Sequence, residues 1–190
     1  MTATVRTLPH YFPEIFVNRI IISVIAFAVF CVLTVILYRR RVFDKLQRNT
    51  AILLSLYIVV LIYFTVVGRY SHEEYEYQIY VFRSYGQLLE SFDRQSVEQI
   101  VINLLMLVPV GFLLSVIIRM KGKYPVVLGL CFLLTAFIES MQLLKQFGSF
   151  EVDDIINNMI GAAIGTLIYA LIHWITQQKM YKGKHYMVKE

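Results

Sequence analysis

Charged side chains are scarce in this sequence. Asp, Glu, Lys and Arg make up 16% of the 190 residues, against about 25% in soluble domains, and the deficit excludes an ordinary solvated surface. Cysteine is scarcer still. Cys31 and Cys131 alone allow no disulfide framework and no zinc-ligand spacing, and both fall in apolar runs where a thiol behaves as a small hydrophobe. There is no internal repeat or low-complexity tract. HExxH, a phosphate-binding loop and a nucleophile with a paired base are also missing, so no ready-made catalytic motif exists and no metal or other cofactor is expected. Basic residues outnumber acidic ones by 18 to 13. They gather between apolar runs rather than on a face interleaved with aromatics, which argues against a nucleic-acid partner.

What is present is apolar, at 58% of the chain, and it comes in blocks. Runs at residues 20–37, 51–67, 100–118, 126–144 and 155–175 carry almost no charge. At 1.5 Å per residue each can cross a hydrocarbon layer of about 30 Å, the second only with help from its flanks. The first is too long for a signal peptide and lacks a small-residue cleavage site before Arg39, Arg40 and Arg41. The expectation is an all-α membrane protein, a single domain of five transmembrane helices spanning about 16–38, 50–67, 97–118, 125–144 and 154–176, with a loop over 68–96.

Loop charges give an orientation. Arg39, Arg40, Arg41, Lys45 and Arg48 follow the first run, Arg119, Lys121 and Lys123 the third, and Lys179, Lys182, Lys184 and Lys189 the fifth. The positive-inside rule makes these segments cytoplasmic, with the C-terminus inside and the N-terminus outside. Glu73, Glu74, Glu76, Glu90, Asp93, Glu98, Glu151 and Asp153 fall on the opposite side.

The 68–96 loop is rich in tyrosine and phenylalanine, whose rings favour the headgroup level, and its conformation is left open between helix, hairpin and re-entrant turn. Ser96 and Gln99 fit a capping box that starts the third helix near Val97. Pro125 suits the first turn of the fourth helix, and Asp153 or Ser149 is a candidate cap for the fifth.

Polar residues inside the apolar runs carry the functional signal. Asn103 lies about 10 Å from the outer end of the third helix. Thr135, Glu139 and Gln142 share one face of the fourth, while Asp154, Asn158, Gly161 and Gly165 form a stripe on the fifth. The glycines permit close approach of another backbone, and the two stripes are expected to pack together. A carboxylate at the bilayer centre costs at least ~2.5 kcal/mol, so Glu139 requires a partner, a proton or water. Asn103 or Asn158 is its structural partner in one reading, and a functional pocket is the other. Asn157 reads as a helix–helix hydrogen-bonding group, His173 as an interface residue, and Arg83 and Arg94 as loop charges paired with nearby acids in preference to partners for an anionic ligand. Pro109 removes a backbone hydrogen bond in mid-helix, making room beside Asn103 or simply kinking the span for packing.

Asn103, Pro109 and Gly111 form N-x5-P-x-G; Glu139 and Gln142 form E-x-x-Q; Asp153, Asp154, Asn158 and Gly161 form D-[DT]-x-x-x-N-x-x-G, with Gly165 beyond. In this order, on three consecutive helices over residues 96–166, the motifs resemble the VanZ family. The chain departs from many relatives at Gly148 and Ser149, where they carry an arginine, and over residues 77–82, which lack their N-L-x-P-F element. The resemblance implies a multi-pass protein of the bacterial cytoplasmic membrane with an envelope role, the prototype being associated with low-level teicoplanin resistance.

Three functions remain. The first is a non-enzymatic binding protein whose site (Asn103, Glu139, Gln142, Asp153, Asp154 and Asn158) engages a lipid-linked wall precursor, a phospholipid headgroup or a lipoglycopeptide. The second is a transporter or flippase using Glu139, which the lack of charge deeper in the bundle disfavours. The third is a metal-dependent hydrolase using Glu139 with Asp153 or Asp154.

Overall fold

The computed structural model describes residues 12–67, 77–78, 81–82, 85–86, 94–144 and 150–187. Within them the chain forms helices α1 (Phe12–Arg39), α2 (Lys45–Ile62), α3 (Arg94–Ile117), α4 (Lys123–Leu144) and α5 (Val152–Met187). Two short strands, β1 (Tyr77–Gln78) and β2 (Phe150–Glu151), pair in parallel.

Local chemistry sets the boundaries. At the end of α1, Arg41 adopts φ 59°, and the Arg41 and Val42 N–H groups donate to the Tyr38 and Leu37 carbonyls, a Schellman closure usually made with glycine. Asp44 then opens α2 by accepting from the Gln47 N–H at 2.8 Å while the Gln47 side chain accepts from the Asp44 N–H at 3.0 Å, a reciprocal capping box. The Asp44 carboxyl is held below its usual range, first by that backbone bond and then by Arg119. A π-helical segment, Tyr63–Val67, follows α2.

Contacts between helices fix their directions. Gln47 Nε2 donates to the Ile117 carbonyl and the Tyr57 hydroxyl to that of Met106, so α2 runs antiparallel to α3. Gly161 meets Leu104 and Gly165 meets Val108, so α3 and α5 run parallel. A β-carbon on Gly161 would lie 1.8 Å from the Leu104 carbonyl oxygen, one on Gly165 2.0 Å from that of Val108, and one on Gly111 2.2 Å from that of Ala162. The glycine stripe therefore packs against α3 rather than α4, contrary to the expectation, because only glycine lets these two backbones touch.

Polarity is distributed as lipid requires. Leu133 and Leu167 are 64% and 68% exposed, whereas Glu139 is 2% exposed and Asn157 and Asn158 are fully buried. Water would reverse this preference, since exposed apolar area of this extent marks a surface meant for another apolar phase. Four helical segments, Lys45–Thr65, Ser96–Ile117, Lys123–Leu144 and Val152–Lys179, are long and apolar enough to cross a membrane, and α1 carries a shorter apolar stretch, Ser23–Arg39.

Two capping expectations are corrected. α3 begins at Arg94, leaving Ser96 inside the helix. α5 begins at Val152, so Asp153 sits in its first turn rather than at the cap; Ser149 lies outside the described residues, as do Arg83 and most of the 68–96 loop.

Candidate functional site

The directions of α2 to α5 gather the polar residues at one end of the bundle: the C-terminal ends of α2 and α4 and the N-terminal ends of α3 and α5. Acidic groups favour helix N-termini, and Asp153 and Asp154 occupy the first turn of α5.

Successive residues of α5 face different neighbours. Asp153 and Asn157, one turn apart, face the loop. Asp153 Oδ1 accepts from the Phe82 N–H at 2.6 Å, and the Tyr85 hydroxyl donates to Asn157 Oδ1. Phe82 adopts φ 66°, and its ring meets that of Tyr85 edge to face at 5.8 Å. Burial, and then the Asp153 charge, pushes the Tyr85 phenol above its ordinary pKa. The other pair faces the helices. Asp154 lies 3.4 Å from Gln99 Nε2, which also donates to Glu151 at 3.1 Å. Asn158 Nδ2 donates to Thr135 Oγ1 at 2.8 Å.

Glu139 lies one turn beyond Thr135 on the same buried face of α4. Gln142 diverges from this group, its Nε2 donating at 3.3 Å to the Thr65 carbonyl in the π-helical segment. It ties α4 to the end of α2. Asn103 is half-buried.

The cluster is rich in unused hydrogen-bonding capacity. Asn103 Nδ2, Asn157 Nδ2 and Asn158 Oδ1 are buried atoms with no hydrogen-bond partner among the described residues. Each such atom costs about 1–3 kcal/mol if it stays unpaired, and three in one region is a concentration that a polar ligand or water would relieve. Among the described residues no group of three His, Cys, Asp or Glu side chains is arranged to hold a metal.

The motif residues are thus brought to one end but not into one contact. Asn158 and Glu139 lie on the α4–α5 side, Asp153 faces the loop, Asp154 faces α3, and Gln142 acts as a tether. Pro109 sits about 9 Å along α3 from Asn103 and lines an apolar groove with Leu53, Tyr57 and Phe112. Arg94 pairs with Glu98 at 2.8 Å on the surface, and His173 stacks on Tyr169 at the far end. Tyr85 and Phe82 escaped the sequence reading as site residues; the aromatic density of their loop was the available signal. Asn157 is the other addition, read there only as a packing group.

The model of the family described as VanZ/LLP1 matches residues 50–173. The chain belongs to the VanZ/LLP1 family. The matched region runs from α2 into the second half of α5, so this VanZ/LLP1 region takes in two of the four apolar spans whole, most of the other two, and the polar cluster. With those spans, the family assignment makes the chain a multi-pass membrane protein. No curated protein and no solved structure matches the chain.

Proposed function

We propose that this VanZ/LLP1 protein is a non-enzymatic binding protein of the bacterial cytoplasmic membrane whose polar cluster takes the headgroup of a lipid-linked wall precursor or a lipoglycopeptide, and that it thereby contributes to teicoplanin resistance. The carrying observation is the set of buried amide atoms on Asn103, Asn157 and Asn158 that have no hydrogen-bond partner among the described residues. Amide groups accept and donate neutral hydrogen bonds, which suits sugar and peptide groups. In this reading α1 is a fifth span, the N-terminus is outside, and the basic ends of the helices are cytoplasmic by the positive-inside rule. The cluster then lies at the outer-leaflet end, in contact with Phe82 and Tyr85.

Teicoplanin susceptibility of cells producing the wild type, Glu139→Gln or Asp154→Asn is the test, with membrane levels of each protein measured. Loss of protection at equal protein level is expected. Equal protection by all three, or none by the wild type, would remove the resistance role.

A further inference from the structure

At the opposite end of the bundle, the geometry points to a second site: a groove bounded by α2, α3 and α5 that holds one anionic phospholipid of the cytoplasmic leaflet. The leaflet follows from the orientation proposed above, whereas the groove and its charge do not depend on it.

The groove encloses about 890 Å³. Phe112, Leu113 and Ile172 form its walls, and Arg119, Lys121 and Lys123 stand at its mouth. Of these cations only Arg119 pairs with a carboxylate among the described residues, Asp44 at 2.5 Å. Lys123 Nζ donates to the Ser115 carbonyl at 2.6 Å and lies 4.0 Å from the Tyr169 ring centre. An ammonium has three donors, so Lys123 is fixed in place with capacity left for a phosphate oxygen. Lys121 adds a second uncompensated charge.

A soluble anion would need only this mouth. Beside the groove, however, lies an apolar slot of about 450 Å³ that shares Phe112 and Leu113 with it and is also lined by Val108, Pro109 and Ile168. Val108 to Ile117, the last residue of α3, is about 14 Å along the helix, close to half of a ~30 Å hydrocarbon core. A basic mouth over an apolar slot one leaflet deep matches a phosphate headgroup above an acyl chain, and basic pockets between membrane helices take such headgroups.

Native mass spectrometry of the full chain, released from nanodiscs holding equal phosphatidylglycerol and phosphatidylcholine, tests this site. One phosphatidylglycerol is expected to stay bound preferentially. Lys121→Gln with Lys123→Gln should reduce its retention about thirtyfold, and Lys121→Gln alone, which disturbs no contact of Lys123, by a smaller factor. Leu113→Trp should displace it by filling the slot with the charges intact. Equal retention of both lipids by the wild type, retention unaffected by Leu113→Trp, or displacement by inorganic phosphate would each overturn the assignment. None of these results bears on the polar cluster at the other end.

Discussion

At the residue scale, glycine and asparagine do what no near neighbour in chemistry can. Gly161→Ala puts a methyl group 1.8 Å from the Leu104 carbonyl oxygen, and because the obstacle is backbone, the helices must part. A loss of roughly 3 kcal/mol is expected, read as a fall in melting temperature in detergent. Gly129→Ala is the contrast: nothing lies within 4 Å of its added carbon, and helix propensity makes the change neutral or stabilising by up to about 1 kcal/mol. Equal effects at the two sites would contradict the α3–α5 contact. The burial of Glu139 and Asn158 and the close backbone approach at the glycines were legible in the sequence, since polar or small residues stand out in apolar runs. Their partners were not: one helix face reaches two neighbours, so spacing alone did not show that Asp154 turns to Gln99 on α3 while Asn158 turns to Thr135 on α4.

Among the elements, the loop and the caps respond to pH in opposite directions. Tyr85 is held above its ordinary pKa and donates to Asn157. Its contribution to docking the loop on α5 is complete below about pH 10 and is lost as pH rises through the elevated pKa. Hydrogen exchange at the start of α5 should accelerate at high pH in the wild type and be fast throughout in Tyr85→Phe. Asp44 is held below its ordinary value, so its cap is intact above about pH 4 and fails as pH falls through the depressed pKa. Asp44→Ala should lower the melting temperature at neutral pH, while Asp44→Asn, still able to cap, should lower it less. The helices were legible because each is apolar for its whole crossing, and the ends of α3 and α5 were not. Ser96 and Asp153 have capping chemistry, but Asp153 is engaged by the Phe82 N–H, a contact across 71 residues that no local pattern encodes.

For the whole molecule, polarity is inverted: apolar outside, polar within, with acidic groups at one end and basic groups at the other. Family membership and the multi-pass character follow from the matched region and its four spans. Orientation is expected to appear in labelling of single cysteines in intact cells after both native cysteines are replaced. A cysteine at Arg94 should react with an impermeant reagent and one at Lys121 only after permeabilisation; the reverse pattern would invert the molecule and with it the leaflet assigned to each site. The most direct test of the central claim is equilibrium binding of a lipid-linked wall precursor to the full chain in nanodiscs, for the wild type and for Asn157→Ala, with melting of both recorded. Saturable binding weakened about tenfold by the substitution is expected, within the 1–3 kcal/mol scale of a buried hydrogen-bonding group. No saturable binding to the wild type, or equal binding by a folded Asn157→Ala protein, would contradict it.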